Sequence, residues 1–128
     1  MGYTFNRTVD DAFDAVVERT IAALKAEGFG VLSDLDIQAT LKAKLGVDFQ
    51  RYRILGACNP PLAHRALQAE PTIGVMLPCN VVVREPSPGK VEVAAINPLT
   101  GIGEVGNPSL TAVATEVAEK LQRVIANI

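Results

Sequence analysis

The chain has 128 residues, which fits one domain with a sizeable core. It is 48% hydrophobic and 20% charged with a net charge of −2, a globular balance and not a disordered one. Lys and Arg are scattered and Trp is absent, which excludes the basic footprint and stacking platforms of a nucleic-acid partner, and no apolar run approaches the ~20 residues of a membrane span.

The first residues lack the apolar stretch and small-residue cleavage site of a signal peptide, so the expectation is a cytoplasmic protein with reduced thiols. Residues 2–7 begin like an edge strand. Thr8 or Asp10 can cap the helix that follows, and Asp10, Asp11 and Asp14 suit its positive end. Phe13, Val16, Val17, Ile21 and Leu24 recur at helical spacing and predict one buried face, ended by Gly28. Residues 29–35 alternate as a strand. Asp36 then caps a short helix carrying Ile37, Leu41 and Leu45, with Gly46 as its stop. Residues 50–58 form the next strand. Asn59-Pro60 supplies a cap and a first-turn proline for a helix reaching about Glu70, where Pro71 halts it. Residues 78–85 and 90–96 read as a hairpin around Pro86-Ser87-Pro88-Gly89. Residues 97–107 read as loop. Asn107-Pro108 repeats the cap and proline before a long amphipathic helix marked by Leu110, Val113, Val117, Leu121, Val124 and Ile128. The order β-α-β-α-β-α-β-β-α predicts a single α+β domain over residues 1–128. Its sheet is mainly antiparallel or mixed, with the helices packed on one face.

Both cysteines and the only histidine fall in two short segments, Ala57-Cys58-Asn59-Pro60-Pro61-Leu62-Ala63-His64 and Leu77-Pro78-Cys79-Asn80. If the strands carrying Cys58 and Cys79 are antiparallel neighbours, the end of one meets the start of the other and the thiols share one end of the sheet. If they are parallel, the thiols fall at opposite ends. Cys58 just precedes a helix N-terminus, where the dipole favours a thiolate, and His64 is four residues into that helix. The candidate ligand-binding residues are Cys58, Asn59, His64, Cys79 and Asn80, with Cys58 and His64 the weaker candidates for nucleophile and base. The plain alternative is that both thiols are small core hydrophobes and His64 faces solvent. Two Cys and one His lack the paired spacing of a structural zinc motif, and there is no Cys-x-x-Cys dithiol. The metal and the cofactor remain unassigned.

Gly101-Ile102-Gly103-Glu104-Val105-Gly106 matches the dinucleotide fingerprint in letters only. No second parallel strand follows it, and Glu104 would repel phosphate, so it reads as a loop, a lid or a dimer contact. Arg51 and Arg53 share a strand face that is either solvated or open to an anion or partner subunit. Asp34 and Asp36 look like caps.

The run from Tyr52 to Leu67, YRILGACNPPLAHRAL, resembles the signature segment of family 302 in the domain-of-unknown-function series. Ile73-Gly74-Val75-Met76-Leu77-Pro78-Cys79-Asn80-Val81-Val82-Val83 is similar to its second segment. The resemblance spans essentially the whole chain. It implies a small bacterial or archaeal α+β protein with a TBP-like fold, a curved antiparallel sheet backed by helices and often a homodimer, without implying DNA binding. The Cys-Asn-Pro, Pro-Cys-Asn and histidine positions carry over onto Cys58, Asn59, Pro60, Pro78, Cys79, Asn80 and His64. The family's methionine in the loop before the last helix has no counterpart here, since residues 99–106 are Met-free. The expected function is a non-enzymatic binding or accessory module for a small ligand, sulfur species or soft metal. A dimeric interaction protein without a ligand site comes second, and a thiol enzyme using Cys58 third.

Overall fold

The computed structural model describes residues 2–128 and is α+β. Strands β1 (Thr4–Asp10), β2 (Gly30–Asp36), β3 (Tyr52–Cys58), β4 (Cys79–Ser87) and β5 (Lys90–Ile96) form one sheet in the order β1-β5-β4-β3-β2. Every neighbouring pair is antiparallel. The helices are α1 (Phe13–Ala26), α2 (Ile37–Leu45), α3 (Pro60–Ala69) and α4 (Pro108–Ala126), and short 3-10 turns occupy Ile73–Met76, Pro98–Thr100 and Ile102–Glu104.

Strand periodicity makes the core. Val81, Val83, Val91, Val93, Ala95, Leu55 and Ala57 alternate onto one sheet face and are buried. They form one cluster with Val16, Val17 and Leu24 of α1 and Leu110, Val113, Leu121 and Val124 of α4. Each fully buried valine contributes roughly 1.5–3 kcal/mol. The opposite face carries Asn80, Val82, Arg84, Glu92 and Ala94, exposed or half-buried. Arg84 Nε donates to Glu92 Oε1 across β4 and β5 at 2.7 Å.

One device recurs three times. Asn59, Asn97 and Asn107 each precede a proline and each side-chain oxygen caps a turn, accepting from Leu62, Leu99 and Ser109 N–H. Each amide nitrogen then donates to a distant carbonyl, Glu27, Gly2 and Ala69 respectively. The caps therefore also stitch elements together. A further long-range tie runs from Arg7 Nη1 in β1 to the Ala126 carbonyl at the end of α4, 2.7 Å away.

Several local expectations need correction. Thr8 and Asp10 do not cap α1, because pairing with Glu92 and Lys90 extends β1 through them. The N-cap residue is Ala12, and Asp11 Oδ1 accepts from the Ala12 N–H instead. On α1, Thr20 is fully buried where Ile21 is only half-buried, and its hydroxyl is satisfied by the Val16 carbonyl at 2.7 Å. Asp36 caps α2 and Gly46 ends it in the left-handed region at φ 68°, as the sequence implies. Yet no residue of α2 is buried, and Leu45 is 69% exposed. Residues 97–107 are not free loop: two 3-10 turns bury Asn97, Pro98 and Ile102. Arg51 and Arg53 are bound to the protein itself. Arg51 pairs with Asp14 and lies 4.3 Å over the Phe13 ring. Arg53 pairs with Asp34 and holds that carboxyl below the usual carboxylate range.

Gly56 in β3 is required by close approach and not by its backbone angles. A Cβ there would lie 2.2 Å from Ser33 Oγ and 2.8 Å from the Pro78 ring. The hydroxyl can rotate away, but the ring cannot. Gly56→Ala is expected to cost about 1–3 kcal/mol, the ordinary penalty for overpacking. Urea denaturation checks it, and an unchanged midpoint would show that β4 gives way freely at Pro78.

Candidate ligand pocket

β3 and β4 are antiparallel neighbours, and Ala57 is the Cα partner of Cys79. Cys58, one residue on, ends β3 and pairs with Gly30 of β2. The condition set by the sequence is therefore met, and both thiols lie at one end of the sheet. They line a common cavity of about 250 Å³ with Phe29, Ala57, Leu62, Ala66, Leu77 and Val117 among its walls. Cys58 is half-buried and Cys79 is buried, both as free thiols.

The lining is apolar apart from the thiols and Asn59, and it includes no charged residue. Asn59 is already occupied. Its oxygen accepts from Leu62 N–H and its nitrogen donates to the Glu27 carbonyl, both at 3.4 Å, so its amide fixes the cavity's shape. Burial pushes the Cys79 thiol up to about 11, with a smaller contribution from the nearby Cys58.

The other two sequence candidates lie elsewhere. His64 is exposed on α3, because Leu62 and Ala66 take the buried face of that helix, and it does not line the cavity. Asn80 follows Cys79 in an extended strand and so turns to the opposite sheet face, where it lines a separate depression of about 350 Å³ with Tyr52, Arg84 and Glu92. Among the described residues, no group of three or more His, Cys, Asp or Glu is placed to hold a metal ion.

Most of the wall comes from residues that the sequence does not single out as site residues, Ile102, Val113 and Leu32 among them. Ile102, from the glycine-rich segment, is buried and forms a wall of this cavity and of a neighbouring one of about 260 Å³, which Cys79 also lines. Val113 comes from α4. Leu32 is the extra residue of a bulge between Val31 and Ser33; it lines the cavity yet is 70% exposed. Bulges commonly re-aim a side chain in this way.

A family model, the domain of unknown function DUF302, matches residues 5–128. The chain belongs to the DUF302 family. It is also similar to an uncharacterized conserved DUF302 protein from Bacillus stearothermophilus, known from a crystal structure. That protein is 29% identical with a TM-score of 0.90, over 99% of this chain and 98% of the other. No curated protein matches the chain. The cavity of this DUF302 chain is built from both segments that carry the family resemblance, 52–67 and 73–83. No helix among the described residues is long and apolar enough to cross a membrane.

Proposed function

We propose that this DUF302 chain is a non-catalytic binding module whose cavity takes a small, uncharged or soft ligand against Cys58 and Cys79. The observation that carries this reading is the convergence of both thiols on one cavity whose remaining walls are apolar. A cavity of about 250 Å³ suits a ligand of benzene to indole size, smaller than the usual drug-sized site. The absence of a charged group on its wall argues against anionic metabolites, and the outward position of His64 leaves no base beside Cys58. The reading includes a cytoplasmic setting with reduced thiols and a homodimer, for which the uncovered sheet face with Val82 and Ala94 is the available surface. The TBP-like grouping enters as a fold relation only, since a net charge of −2 is unfavourable for DNA.

Indole titration followed by amide chemical shifts tests the binding. Shifts are expected around Ala57, Ala66 and Ile102, and Ala63→Leu, which fills the cavity, should abolish them. In parallel, iodoacetamide should modify Cys58 first. With its thiol pushed up to about 11, Cys79 stays almost wholly protonated at pH 7.5 and reacts later. If indole moves no resonances and neither thiol reacts before unfolding, the cavity is packing space and the reading is wrong.

A further inference from the structure

We propose a second binding site, on the uncovered sheet face, that takes a small monocarboxylate with an aromatic or branched apolar body and holds it through the terminal amino groups of Arg84. Strand register lays out the site. Tyr52 and Arg84 are Cα partners, as are Arg84 and Glu92, which makes one polar row across β3, β4 and β5. Val82 and Ala94 are partners in the next row and form an apolar strip beside it. Asn80 lies beyond that strip, with its side chain exposed. All six line one depression of about 350 Å³, on the other side of the sheet from the thiol cavity.

A chain of hydrogen bonds fixes Arg84 and leaves its far end unspent. Thr4 Oγ1 donates to Asn6 Oδ1 at 2.6 Å, Asn6 Nδ2 donates to Glu92 Oε2 at 3.2 Å, and Arg84 Nε donates to Glu92 Oε1 at 2.7 Å. Burial alone would raise the Glu92 carboxyl, but the bonds from Arg84 and Asn6 outweigh it and keep it below its usual range, so the anchor stays charged. The Arg84 and Glu92 side chains are 34% and 21% exposed, so the pair is open to a ligand yet partly shielded from water. Among the described residues, nothing accepts from Arg84 Nη1 or Nη2. Those two groups form a planar fork that matches the two oxygens of a carboxylate. The Arg84–Glu92 pair is neutral as a unit and the chain carries −2, so a single negative charge suits the site and a phosphate dianion does not. Residues two apart on a strand are separated by about 6.6 Å, which puts Val82, and Ala94 beside it, under the body of a ligand held at Arg84.

Titration with sodium benzoate at constant ionic strength, followed by amide chemical shifts, is the test. Saturable shifts centred on Val82, Arg84 and Ala94 are expected, and benzamide, the neutral analogue, should produce none. Arg84→Gln should weaken binding by roughly 10- to 100-fold, the usual range for losing a charge-assisted hydrogen bond. Val82→Glu leaves Arg84 in place but sets a like charge beside the ligand, and it should abolish binding independently. The absence of saturable shifts, unaltered affinity in Arg84→Gln, or equal binding of inorganic phosphate overturns the proposal; a dimer closed over this face would give the first of these results. Shifts centred on Ala57, Ala66 and Ile102 overturn it too, since benzoate is then in the thiol cavity. The two sites are separable: Ala63→Leu should abolish the indole shifts and leave those from benzoate, and Arg84→Gln should do the reverse.

Discussion

Ile102→Ala is expected to lower the unfolding free energy by about 2–4 kcal/mol, the range for removing a large aliphatic side chain from a core. Ile102 is 6% exposed and forms a wall of two cavities of about 250 and 260 Å³, so its truncation opens one toward the other. The surroundings have little room to collapse. Gly103 beside it already approaches Leu99 and Ala114 at van der Waals distance, measured from where its Cβ would be. The same change should admit ligands larger than indole. Urea denaturation and titration with a naphthalene-sized probe check the two halves. A loss under about 1 kcal/mol would mean that the 3-10 turn simply moves inward.

Stability should also fall steeply between pH 9 and 11 because of Cys79. Its thiol shifts from 9.0 to about 11 on folding, chiefly through burial. Over that interval the unfolded chain has lost the proton and the folded chain keeps it. The unfolded state then binds fewer protons, so the unfolding free energy decreases as pH rises. The contribution is present in full below about pH 9 and is lost by about pH 11. At 1.36 kcal/mol per unit it amounts to roughly 2–3 kcal/mol. Lys and Tyr titrate in the same range, so the measurement is the difference from Cys79→Ala. That variant will be less stable at pH 8, but its stability should decline less over the interval. Parallel curves would show that the thiol is not buried in solution.

Features set by local backbone chemistry were legible from the residues alone. Gly28 and Gly46 adopt positive φ, Asn59-Pro60 and Asn107-Pro108 start helices, and Asp36 caps α2, because each depends on a few adjacent residues. The neighbouring thiols were legible only conditionally, since strand order is a long-range property. What stayed hidden depends on packing phase. His64 turns outward because Leu62 and Ala66 claim the core side of α3. Ile102 lies among glycines that mask a buried anchor, and Gly56 reveals its role only against Ser33 and Pro78. The apolar residues of α2 have helical spacing without burial, because that helix lies outside the main cluster. Asn59 looked like a ligand group, but both ends of its amide are engaged.

The tie from Arg7 to the Ala126 carbonyl has a consequence for how the chain is made. The bond spans 119 positions, and α4, which covers the sheet, is synthesised after all five strands. Until residues 108–126 have been made, the valine face therefore has the cover of α1 but lacks that of α4. Native packing then waits on α4, and the part of the sheet face it covers is open to chaperones until that helix is made.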